Sequence, residues 1–246
     1  MSKVAVIGGT GMNNWPGFEV RKSRSVKTPY GAPSTPLLFG KAYGVDAIFL
    51  ARHGEGHKLA PHMINYRANL WALREAGVKN VVAISAVGGI SKKLPPAALA
   101  IPDDVIDYTY GRAFTFFDGI EQPLQHVELT EPYSRVVRAA LRKSARSARV
   151  AVMDGGVMGV TQGPRLETPA EIRRMRRDGC DMVGMTGMPE AALARELELD
   201  YASLAVSVNW AAGVGTGDIH GEIAKFIAEG MDKVRRVLAK ALPALA

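Results

Sequence analysis

Four short stretches of the chain combine small residues with hydrogen-bond donors, the composition of an anion cradle. The first, Gly8-Gly9-Thr10-Gly11, follows an apolar run at 4–7. Glycines let backbone N–H groups approach an anion, and the Thr10 hydroxyl adds a donor. Taken alone, the stretch reads equally well as a plain tight turn. The second, Ala51-Arg52-His53-Gly54-Glu55-Gly56-His57, closes the apolar run 47–51 with a guanidinium and an imidazole, both able to donate to phosphate. The third, Ser85-Ala86-Val87-Gly88-Gly89, reads as another small-residue turn, at the end of the run 81–85. The fourth, Met185-Thr186-Gly187, sets a hydroxyl between the run 181–183 and a following helix. One such stretch means little, but four at the ends of four apolar runs point to a convergent anion site.

Rival readings of these residues fit less well. A dinucleotide fingerprint needs glycine where the chain has Asn14, and an acid about 20 residues on, where Thr28-Pro29-Tyr30-Gly31 stands. His53, His57 and His62 could be metal ligands, but Gly54 and Gly56 break any helix carrying them and the order H-E-x-x-H is absent. His62 reads better as structural. Neither a Walker-type Gly-Lys-Ser/Thr nor a G-x-S-x-G elbow occurs, which disfavours a nucleoside triphosphate site and a serine hydrolase.

The elements that must position these stretches follow from hydrophobic period. Runs at 4–7, 47–51, 81–85, 104–107, 151–153, 181–183 and 202–208 do not alternate apolar with polar, the pattern of strands buried on both faces. Between them lie amphipathic helices. One spans 65–76, with Tyr66, Leu70 and Leu73 on one face and Gly77 as a stop. A second opens on a capping box of Thr168 and Glu171, with Pro169 at the first helical position, and ends near Gly179. A third, from about His220 to Ala241, aligns Ile223, Ile227, Met231, Val234 and Leu238. Strands alternating with helices imply an α/β fold: one domain over 1–246, a mostly parallel central sheet flanked by helices, and ligands beyond the strands' C-terminal ends.

Composition sets the outer bounds. The 246 residues are 47% hydrophobic and 22% charged, an ordinary globular balance. Cys180 is the one cysteine, so no intramolecular disulfide can form, which suits a reducing cytoplasm. No apolar stretch approaches the roughly 20 residues of a membrane helix, and the expectation is a soluble, cytoplasmic protein without membrane partners. The formal charge of +7 raises nucleic-acid binding. The basic clusters at 21–24, 138–149 and 173–177 lack interleaved aromatics, and the last two read as exposed helix faces. A basic enzyme for phosphorylated substrates is the simpler reading, with no nucleic-acid partner.

The segment Val183-Gly184-Met185-Thr186-Gly187-Met188-Pro189-Glu190 closely resembles a signature of the trimeric purine nucleoside phosphorylases, the family that includes the methylthioadenosine phosphorylases. Blocks at 7–11, 28–33, 51–57, 65–73, 85–89, 162–168 and 202–209 extend the resemblance in order over nearly the whole chain. Gly163-Pro164-Arg165-Leu166-Glu167-Thr168 and the stretch 185–196 look nearest to the family's bacterial S-methyl-5′-thioinosine branch. The resemblance implies phosphate held by Thr10, Arg52, His53, Ser85, Ala86 and Thr186, and ribose touched by Met185. It implies the purine N7 and 6-substituent addressed by Asn209, and N1 addressed by Glu167. Asn209 and Glu167 are then the candidate catalytic pair, with Leu166 and Ala211 beside the base. The resemblance also implies a homotrimer, alone or paired into a hexamer, in which His126 closes a neighbour's site. Inorganic phosphate would be a co-substrate, with no metal or organic cofactor. Two departures stand out: Leu166 replaces an aromatic residue that many relatives stack near the purine, and Ser85 stands where relatives have Thr or Asn.

Chemistry narrows the substrate this resemblance implies. An ionised Glu167 accepts a hydrogen bond and cannot donate one, which suits the N1–H of a 6-oxopurine rather than the bare N1 of a 6-aminopurine. Adenine-specific relatives carry Asp in place of Asn209 and of Ala211, and no acid matching Glu167. A Glu167 that merely sits at the helix start is the structural alternative. His220 resembles a histidine that reads a 5′-hydroxyl in the inosine and guanosine branch, and reads equally as a solvated residue at the helix start. The expectation is phosphorolysis of S-methyl-5′-thioinosine to hypoxanthine and 5-methylthioribose 1-phosphate. Inosine or guanosine phosphorolysis is the next reading, methylthioadenosine phosphorolysis the third, and a non-catalytic nucleoside-binding protein the reading from another class.

Overall fold

The computed structural model describes residues 3–12, 15–120 and 122–246; Asn14 lies outside them. Four strands form the centre of the sheet: β1 (Lys3–Gly8), β4 (Val45–Ala51), β5 (Val78–Gly89) and β11 (Asp200–Trp210). They pair in parallel, β4 with β1, β1 with β5 and β5 with β11. Their side chains are buried along nearly their whole length, which is why their sequences are continuous apolar runs.

The remaining strands add antiparallel pairs, so the sheet is mixed, with parallel pairing in the majority among the described residues. β2 (Glu19–Arg24) and β3 (Leu37–Ala42) extend it antiparallel beyond β4. On the other side β10 (Cys180–Gly184) pairs antiparallel with the end of β5, and β9 (Val157–Val160) and β7 (Asp104–Asp107) follow in parallel. β6 (Leu99–Ile101) joins β11 antiparallel, with β8 (Val152–Asp154) beside it. β2 is exposed throughout, and its charges, including the basic cluster at 21–24, protect an open sheet edge. β7 is exposed or half-buried, so the expectation of burial on both faces fails there: it is a terminal strand with one neighbour.

One expected turn is strand. Residues 85–89 continue β5, whose far half pairs with β11 on one side and β10 on the other. The small residues there serve close packing: a side chain at Gly89 would overlap the Leu94 carbonyl.

The helices flank the sheet. α1 (Tyr66–Glu75) is capped by Asn65, whose side chain accepts from the Ala68 N–H. α2 (Arg135–Ser147) is capped by Ser134. α3 (Pro169–Arg177) opens on the expected capping box. α4 (Gly187–Glu196) begins at the signature segment and α5 (Ile219–Leu245) packs over β11 and α2. No helix among the described residues is long and apolar enough to cross a membrane.

Candidate active site

A cavity of about 430 Å³ opens where β1, β4 and β10 end and where β5 and β11 pass, a size suited to a small ligand. It is lined by Thr10, Arg52, His53, Ala86, Met185, Thr186, Leu166, Glu167, Asn209 and Ala211. A larger, shallower depression of about 940 Å³, around Lys92, Arg176 and Trp210, gathers none of these groups. Of the residues singled out in the sequence, three stay outside the lining. Ser85 is buried and accepts a hydrogen bond from the Ser203 hydroxyl at 3.1 Å. His126 and His220 are exposed.

Part of the cavity lining gathers donors that suit an anion. Gly9 brings the backbone after β1 against the Arg52 guanidinium; a Cβ there would lie 2.9 Å from Nη1 and 2.5 Å from the Ile84 carbonyl oxygen. Arg52 is 1% exposed. Its Nε and Nη2 each donate to Glu190 at 2.7 Å, and Nη1 donates to the Ile84 carbonyl at 2.9 Å. Three of five N–H groups are thereby used, and two remain for a ligand. Burial alone would lower the guanidinium's pKa; the Glu190 carboxylate, by charge and hydrogen bond, more than offsets this and holds it above its usual value. Glu190 is fully buried and also accepts from the Tyr201 hydroxyl at 2.9 Å. Thr186 occupies the N-cap of α4 but lends no side-chain bond to the helix.

His53 differs from the expectation of a phosphate donor. Its Nδ1 lies 2.9 Å from the Leu59 carbonyl, which can only accept, so Nδ1 carries the proton. The ring stacks on His57 at a centroid distance of 4.2 Å. Burial, with the Arg52 charge adding to it, pushes the His53 pKa down to about 4. The imidazole is therefore neutral at pH 7, and its Nε2 accepts, suiting a protonated phosphate oxygen. Between the ordinary histidine pKa of 6.5 and about 4, the unfolded chain binds a proton that the folded chain excludes. Stability is fully present above pH 6.5 and falls as pH drops through this window, by about 2 kcal/mol between pH 7 and 4.5. Urea unfolding at the two pH values should show a smaller drop for His53→Gln than for the native chain; equal drops would contradict the neutral assignment.

Another part of the lining can read a purine. A register shift between Ser207 and Asn209 interrupts the pairing of β11 with β5, and both Val208 and Asn209 line the cavity, as a bulge permits. Asn209 Nδ2 donates to the Trp210 carbonyl at 2.7 Å, leaving one N–H for a ligand. The Trp210 N–H donates to Glu222 at 2.8 Å, which ties β11 to α5. Glu167 Oε1 accepts from the Thr161 hydroxyl at 2.5 Å. It does not cap α3: Thr168 and Glu171 do so reciprocally, and Arg165 pairs with Glu171. The lining also includes Leu59, Pro61, Ile219 and Ile223, with His57 and Lys58.

Two supporting residues escaped the sequence reading. Glu190 had a signal, since an acid inside Met188-Pro189-Glu190-Ala191-Ala192-Leu193 must be paired if that run is buried. Arg112 had none, lying in an aperiodic stretch. It donates to the carbonyls of Thr161, Gln162 and Met188, to the Gln162 side chain and to the Tyr66 hydroxyl. It thus joins the strand end before Glu167 to the segment after Thr186. Among the described residues no three His, Cys, Asp or Glu side chains gather as metal ligands.

Comparison with known proteins agrees with this geometry. The family model described as "Phosphorylase superfamily" matches residues 3–243. A probable S-methyl-5′-thioinosine phosphorylase of Pseudomonas syringae pv. tomato is 49% identical over 99% of this chain and 100% of its own length. A 6-oxopurine nucleoside phosphorylase of Pyrococcus furiosus is 42% identical over 99% of this chain and 93% of its own. The fold superposes on methylthioadenosine phosphorylase from Schistosoma mansoni in complex with adenine, with a TM-score of 0.92 and 30% identity over 99% of this chain and 91% of that one.

Proposed function

This chain belongs to the phosphorylase superfamily, and from that premise we propose that it cleaves 6-oxopurine nucleosides with inorganic phosphate, S-methyl-5′-thioinosine foremost. In this reaction the C1′–N9 bond breaks, a phosphate oxygen bonds C1′, and the purine leaves with the electron pair. Thr10, Arg52, His53, Ala86 and Thr186 would fix phosphate beneath the anomeric carbon, where its charge also stabilises the oxocarbenium-like sugar. The free N–H of Asn209 would stabilise the departing purine at N7 or O6, and Glu167 would accept from N1–H. None of these steps calls for a metal or an organic cofactor.

The observation that carries the 5′ preference is that Ile219 and Ile223 line the cavity while His220 does not. The two isoleucine side chains suit a methylthio group and themselves offer a 5′-hydroxyl no hydrogen bond. Product release should be measured with methylthioinosine, inosine and methylthioadenosine, each with and without phosphate. The expected result is phosphate-dependent hypoxanthine release, fastest from methylthioinosine. Ile223→Asn should narrow the preference for methylthioinosine over inosine by about tenfold, and His220→Ala should leave it unchanged. Faster inosine cleavage by the native chain would return the 5′ role to His220. Adenine release would overturn the reading of Glu167, and release without phosphate would point to a hydrolase.

The assembly we read is a homotrimer. Tyr110, Phe114, Ile120 and Leu124 are large and exposed, and precede His126 in the chain. Exposed large side chains of this kind suit a subunit contact, which would bring His126 to a neighbour's site.

A further inference from the structure

We propose that Thr161 is a specificity-determining positioning residue: its hydroxyl holds the Glu167 carboxylate facing the purine position, so that 6-oxopurines are favoured over 6-aminopurines. The inference rests on the reading of Glu167 as the partner of purine N1. Thr161 follows β9 and is fixed by its own backbone. Its N–H donates to the Gly184 carbonyl at 2.9 Å, and its carbonyl accepts from Arg112 at 3.2 Å. The hydroxyl carries one proton and has two acceptors in range, Glu167 Oε1 at 2.5 Å and the Gly184 carbonyl at 3.4 Å. The shorter contact takes it, and the Glu167 oxygen it reaches is thereby an acceptor.

The surroundings make this bond consequential. Thr161 does not line the 430 Å³ cavity, whereas Glu167 does. Both line a second hollow of about 360 Å³ on the other side, which also holds Arg165 and Arg174. Glu167 is the partition between the two spaces. Without the Thr161 hydroxyl its carboxylate has the hollow on its far side, where Arg165 and Arg174 stand beside their own partners Glu171 and Asp178. A flexible acid set between two cavities needs a tether to read a base, and Thr161 is the side chain that supplies one.

Thr161→Val keeps the branched shape and removes the donor. It should lower kcat/KM for inosine and methylthioinosine about 10–100-fold, the range for a hydrogen bond to a charged group, with most of the change in KM. Calorimetry should show hypoxanthine binding weakened by a similar factor and adenine binding unchanged or tightened. Thr161→Ser, which keeps the hydroxyl, should stay within about threefold of the native chain. Equal losses for hypoxanthine and adenine in Thr161→Val, or no loss for either, would overturn the proposal. Failure of the underlying reading shows separately, in the native chain, as adenine bound more tightly than hypoxanthine.

Discussion

Glu190→Ala should destabilise the fold by about 3–5 kcal/mol, because it leaves the Arg52 guanidinium buried without its counter-charge. The pair is sealed: the two side chains are 1% and 0% exposed and bonded through two parallel N–H to oxygen contacts of 2.7 Å. The Tyr201 hydroxyl would lose its acceptor in the same variant. A shift of the urea midpoint at constant slope measures the loss. If Arg52 holds phosphate as proposed, the pair also has a role in the site, since Glu190 fixes the orientation of the remaining Arg52 N–H groups. Residual Glu190→Ala enzyme should therefore show a raised KM for phosphate. Replacing both partners, as Arg52→Met with Glu190→Leu, should recover much of the stability, because apolar pairs of similar volume often match buried ion pairs, and should recover none of the phosphate affinity. A Glu190→Ala variant within about 1 kcal/mol of the native chain, with phosphate KM unchanged, would remove the pair from both roles.

Glu167→Gln should cost about 10²–10³-fold in kcat/KM for 6-oxopurine nucleosides, more than the loss of one neutral hydrogen bond. The reason lies in Thr161. Its hydroxyl donates to Oε1, so the amide that replaces the carboxylate keeps its carbonyl oxygen there and turns its NH₂ toward the base. A donor then faces the N1–H donor of hypoxanthine, and both are left without a partner. The bare N1 of adenine accepts from the same NH₂, so methylthioadenosine should be cleaved faster by Glu167→Gln than by the native chain. The ratio of the two rates is the measurement. Unchanged hypoxanthine release would mean that Glu167 does not touch N1.

Local order was legible in the chain itself. The strands 4–7 and 47–51 and the box of Thr168 with Glu171 depend on neighbours within a few residues. Short-range spacing records such relations. The candidate anion-binding residues that line the cavity were legible for a similar reason, since donors beside glycine after an apolar run form a local pattern. Much of the base-reading set came instead through resemblance to a family, because Leu166, Glu167, Asn209 and Ala211 share no spacing.

Tertiary structure decided the rest. Residues 85–89 have the composition of a turn, yet β10 and β11 flank them and make them strand. His53 looked like a donor until the Leu59 carbonyl took its Nδ1–H and burial left it neutral. His220 stands one residue from Ile219, and the helix face that meets the cavity carries the isoleucines. Arg52 and Glu190 are 138 residues apart, and Arg112 reaches Met188 across 76. The sequence by itself determined the central strands, the amphipathic helices and several segments that could hold an anion, because those properties arise between near neighbours. Which carboxylate neutralises which cation, and which way each side chain faces, was settled only when distant segments packed and buried polar groups had to find partners.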